Sequence, residues 1–91
     1  MTVASQDYEF HRLLAVATGN RYLCRHLLHL HQVAMRFNLA AWQRDSSADF
    51  SLQEHQKILE SLQKRDEIEA REVMLAHIEN ARKRIMGTFQ P

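Results

Sequence analysis

Helix-breaking residues are almost missing from this chain: two glycines, Gly19 and Gly87, and one proline, Pro91 at the very end, are spread over 91 positions. With neither residue in its interior, a helix once started runs until short polar side chains compete for its backbone. No alternating run of β-branched residues offers a strand. The expected fold is all-α, a small antiparallel bundle of about four helices.

The punctuation that does exist sets the boundaries. Ser5 is a suitable N-cap for a first helix that closes at "ATGN", where Gly19 can take the left-handed conformation and Asn20 can cap the next helix. The second helix is expected from Arg21 to about Gln43, with Leu23, Leu27, Leu30, Ala34, Phe37 and Ala41 at three- and four-residue steps. "RDSSADF" breaks that pattern, and Ser51 with Glu54 reads as a capping box for a third helix. Asp66 with Glu69 reads as a second box, opening a fourth helix that reaches Gly87, and "TFQP" is expected to fray.

Charge and length narrow the function. A net charge of +1 leaves no basic excess of the kind that nucleic acid requires, so these residues are not expected to bind DNA themselves. Cys24 stands alone, which excludes an internal disulfide and suits a reducing compartment. "MTVASQDYEF" is no secretory signal, and the longest apolar run, "LLAVA", is too short to span a bilayer. A single cytoplasmic domain over residues 1–91 is expected. So much apolar surface on four short helices calls for further helices or a second copy, and a homodimer is the expectation.

The histidines are where chemistry enters. Asp7 and His11 stand one turn apart in "DYEFHRLLAVATGN", on the face of an apolar stripe of Phe10, Leu13, Leu14 and Ala17. They read either as a surface ion pair or as half of a metal site completed elsewhere. His55 shares the spacing of Leu52, Leu59 and Leu62, and His77 is in step with Ala70, Met74, Ala81 and Ile85. Each imidazole, taken singly, reads as a core histidine whose nitrogens are satisfied. Together with Asp7 and His11 they suit a divalent ion held between facing helices. His26, His29 and His31 on the second helix read as solvated or packed against a neighbour, with a surface ion at His26 and His29 the lesser alternative.

Two segments carry a resemblance to a known family. "DYEFHRLLAVATGN" resembles the D-x3-H…GN segment of the FCD domain, and "QEHQKILESLQKRDEIEAREVMLAHI" resembles that family's E-H-x-x-I-L…D…A…M-x-x-H stretch. The FCD domain is the helical effector-binding domain of one group of GntR-type bacterial transcriptional regulators. The resemblance implies a divalent metal held by one aspartate and three histidines, at positions that fall on Asp7, His11, His55 and His77. It departs from the pattern at Arg65, where the family usually has glycine. The family's first helices and its winged helix-turn-helix domain have no counterpart here, so the chain reads as a partial FCD domain, and DNA binding would need a separate segment.

A carboxylate and three imidazoles suit zinc first, with nickel, iron or manganese as alternatives. The resemblance implies a small carboxylate as effector, and Arg36 is a candidate contact for it, or else a solvated surface residue. The expected role is sensing rather than catalysis. The alternatives are a metal-free helical dimerisation module and, with Glu9 or Glu54 as base, a metallohydrolase.

Overall fold

The computed structural model describes residues 2–45 and 48–89. They form four helices, α1 (Val3–Ala17), α2 (Arg21–Asp45), α3 (Ala48–Gln63) and α4 (Glu67–Phe89), with no strand among the described residues. The all-α expectation and the helix count both hold. The chain divides into two units, Met1–Leu39 and Ala40–Pro91, and α2 runs from the first into the second.

In the first unit α1 starts earlier than expected, because Thr2 rather than Ser5 caps it. The Thr2 hydroxyl accepts from the Ser5 backbone N–H at 3.1 Å, and Thr2 lies in extended backbone with φ −78°. At the other end Gly19 has φ 68°, and Asn20 Oδ1 accepts from the Leu23 N–H at 3.0 Å. This glycine turn brings α2 back along α1, as the approach of His31 to Asp7 shows. The expected apolar stripe of α1 is not the buried one. Leu13 is 54% exposed and Ala17 is exposed, whereas Asp7 and Ala15 are buried. Along α2 the expected stripe is exposed too, Leu30 at 62% and Leu23, Leu27 and Phe37 at somewhat over 40%. Only its last member, Ala41, is buried.

In the second unit α3 and α4 form an antiparallel hairpin. α3 begins at Ala48, so Ser51 and Glu54 lie within the helix and form no capping box; Ser46 and Ser47 lie outside the described residues. The buried face of α3 is Ser51, His55, Ile58 and Ser61. Leu59 and Leu62, placed on it by periodicity, are exposed at 41% and 45%. Burial of Ser61 is tolerated because its hydroxyl donates to the Ile58 carbonyl at 2.6 Å. Arg44 near the end of α2 donates to the Gly87 carbonyl at 2.9 Å. Contrary to the expected fraying, Thr88 and Phe89 are helical, and the Thr88 hydroxyl donates to the Arg84 carbonyl at 2.9 Å. Gln90 and Pro91 lie outside the described residues.

The α3–α4 turn carries a local cost. Asp66 caps α4 as expected, accepting from the Glu69 N–H at 3.0 Å, but Arg65 before it has φ 55°. A side chain in that left-handed region costs about 1–2 kcal/mol, and the extra chain entropy of glycine returns about 0.5–1 of it. Arg65→Gly is therefore expected to raise stability by about 0.5–1 kcal/mol. A higher urea midpoint at unchanged slope is the readout. No helix among the described residues is long and apolar enough to cross a membrane.

Candidate metal centre

α1 buries a carboxylate. Asp7 is 3% exposed, and one turn later His11 places Nε2 3.7 Å from Asp7 Oδ1. From α2, His31 places Nε2 3.1 Å from Asp7 Oδ2, and its ring centroid lies 4.7 Å from that of His11. The three donors lie within 4.8 Å of one another. The neighbouring Glu9 is engaged differently, by Arg12 one turn away on a half-exposed face, and that guanidinium holds its carboxyl below the ordinary value.

His31 takes the packed alternative of the sequence reading, with Asp7, His11 and Tyr8 as its neighbours. A signal for it existed: Asp7 and His31 are each twelve residues from Gly19, so a hairpin folded there sets them opposite one another. His26 and His29 are exposed, and neither belongs to a donor cluster among the described residues. Arg36 is exposed on α2.

The second unit buries two imidazoles. His55 and His77 are each 5% exposed, and their rings meet edge to face with centroids 4.7 Å apart. His77 sits where its periodicity placed it. His55 is buried as expected, though among Ser51, Ile58 and Ser61 rather than the leucines.

Glu54, adjacent to His55, organises the pair. Its carboxylate accepts from His77 Nδ1 at 2.8 Å, from Asn80 Nδ2 at 2.7 Å, and from both terminal nitrogens of Arg84 at 3.0 and 3.3 Å. His77, Asn80 and Arg84 follow three- and four-residue steps in "HIENARKR", one face of α4, a signal that sequence reading passed over. Because Glu54 is an ionised acceptor, the proton of a neutral His77 ring sits on Nδ1 and the lone pair on Nε2. A carboxylate behind a histidine in this way is the arrangement that orients an imidazole toward a metal.

Burial pushes the Glu54 carboxyl up, but hydrogen bonds from Arg84, His77 and Asn80 and the charge of Arg84 outweigh it and hold the group below its ordinary value of 4.5. A carboxyl depressed on folding stabilises the protein above its unfolded pKa, and that contribution is lost as pH falls through the folded value. The stability difference between the wild type and Glu54→Gln is therefore expected to be constant near neutrality and to shrink below pH 4.5. Urea titrations of both proteins across that range are the check.

The Asp7, His11 and His31 group suits a divalent ion. Donors about 2.0–2.2 Å from a metal lie about 3–3.5 Å from each other in octahedral or tetrahedral arrangements. The 3.1 Å Asp7–His31 separation falls within that range, and the 3.7 Å Asp7–His11 separation lies just beyond it. Buried carboxylate and imidazole donors are also the right chemistry for such an ion.

The family model described as the FCD domain matches residues 2–80. No curated protein and no solved structure matches the chain.

Proposed function

The chain belongs to the FCD domain family, the effector-binding domains of GntR-type regulators, and on that premise we propose that it senses a small organic acid at a divalent metal ion. The observation that carries the reading is the burial of Asp7, His55 and His77 to 5% exposure or less, with His11 beside Asp7. Those are the four positions at which the family's metal pattern falls. Carboxylate and imidazole are the donor types that such an ion takes.

In this reading Asp7 and His11 from α1, His55 from α3 and His77 from α4 are the ligands of one ion, zinc by default, with nickel, iron or manganese also suited to the donor set. Glu54 fixes the His77 ring by holding the proton at Nδ1. When bound, a divalent ion with a single carboxylate ligand supplies a residual positive charge that an anionic effector can meet. Arg36 is proposed as a further contact to that carboxylate. The protein would work in the cytoplasm as a homodimer, the exposed leucines of α2 meeting a second copy, and DNA would be bound by a separate domain.

Metal dependence of effector binding is the test. Isothermal titration of lactate and sugar acids into zinc-loaded protein is expected to give saturable binding with at least one of them. Metal-stripped protein is expected to bind at least tenfold more weakly, a difference of about 1.4 kcal/mol. Equal affinity in both forms would overturn the reading. The exposed α2 face also favours a second reading, a metal-free dimerisation module. In that case zinc would leave the melting temperature unchanged.

A further inference from the structure

We propose that His31 is a donor to a divalent transition-metal ion bound by Asp7 and His11, so that the α1–α2 hairpin alone carries a two-histidine, one-carboxylate site. The inference goes beyond the four-residue reading, since it needs neither His55 nor His77. Three observations in the first unit support it. The His31 side chain is 11% exposed, and its Nε2 lies 3.1 Å from Asp7 Oδ2, closer than the 3.7 Å between His11 and the other carboxylate oxygen. The His11 and His31 rings are tilted by 36° at 4.7 Å, which brings two imidazoles to one carboxylate without stacking them in parallel. All three donors fall within 4.8 Å of each other, a distance that small side-chain rotations close onto a common ion.

Chemistry favours a cation at that point. One carboxylate and two imidazoles offer the oxygen and nitrogen donors that divalent transition metals take. A divalent ion turns each lone pair into a bond and leaves the remaining positions for water or an anion. The Tyr8 ring, 5.9 Å from that of His31, flanks the imidazole on the same hairpin. Because Asp7 and His11 come from α1 and His31 from α2, the ion would cross-link the two helices around Gly19.

The test is a titration of zinc alone into the 91-residue chain labelled with 15N, following the ring nitrogens of each histidine by NMR. His31 Nε2 is expected to move to a metal-bound position in step with His11, and to do so also, at zinc concentrations about a hundredfold or more higher, in the His55→Gln/His77→Gln variant. His31→Phe, which keeps a ring and removes the donor, is expected to weaken zinc binding at least about tenfold. A shift of His11 without His31 would overturn the inference while leaving the four-residue reading standing if His55 and His77 also respond. A response of His11 and His31 with His55 and His77 unmoved would support the inference and remove that reading. Silence of all four rings would overturn both. The wild-type titration decides the matter by itself if the double variant does not fold.

Discussion

Replacing His55 or His77 by alanine is expected to lower zinc affinity by at least about a hundredfold, since even outer partners of metal ligands contribute about 10–100-fold. Helix content should stay close to that of the wild type, because alanine is the strongest helix former and both positions lie inside helices. The pair of results is what separates a ligand from a core residue. A structural histidine would lower stability without altering bound metal. Thermal melts add a second readout. Zinc at about a hundred times its dissociation constant stabilises the folded state by about 2.7 kcal/mol. For a domain of this size that corresponds to a rise of roughly 10–20 °C. The wild type should show that rise and neither variant should. Elemental analysis giving equal metal in all three proteins would remove His55 and His77 from the site.

Glu54→Ala is expected to produce the other large effect, on stability and metal together. The Glu54 side chain is 14% exposed and receives hydrogen bonds from three residues of α4. Removing it leaves the Arg84 guanidinium, only 16% exposed, and the Asn80 amide without their acceptor. Breaking a largely buried charge pair in this way costs about 3–5 kcal/mol, and the partial exposure here brings the expectation to about 2–4. The His77 ring also loses the contact that fixes its tautomer, so zinc affinity should fall by about 10–100-fold. Glu54→Gln separates the two effects. It keeps the volume and one acceptor oxygen, so stability should recover partly while the His77 tautomer is held less firmly. Urea denaturation and zinc titration of both variants are the measurements. Unchanged zinc affinity in Glu54→Ala would show that Glu54 serves only to tie α3 to α4.

Much of this was legible from spacing, and the failures have common causes. His77 is where a three-four pattern on α4 put it, and Gly19 and Asn20 close and open helices as their chemistry demands. Periodicity finds a face, but it cannot say which of two apolar faces turns inward. On α3 the leucines lost to Ser51, Ile58 and Ser61, because a serine that bonds its own helix carbonyl costs little to bury. On α1 the most buried side chain after Ala15 is a carboxylate, which no hydropathy pattern would choose. The cap of α1 was misplaced because Thr2 and Ser5 are both competent, and only the geometry of the start decides between them. Two roles escaped notice because they depend on contacts between helices. His31 meets Asp7 only once the hairpin closes, and Glu54 looks like a capping residue until α4 lies beside it. The expected ligand set came from Asp7 with His11 one turn apart and from the helix-face spacing of His55 and His77, and the family pattern falls on the same four positions.

The proposed function depends on a single ion bound by Asp7, His11, His55 and His77. X-ray diffraction from crystals of the zinc-loaded protein, recorded on either side of the zinc absorption edge, tests this most directly. One anomalous peak about 2.0–2.2 Å from donor atoms of Asp7, His11, His55 and His77 is the result expected. A peak that touches none of these residues, or a zinc-soaked crystal with no ordered anomalous scatterer, would contradict it.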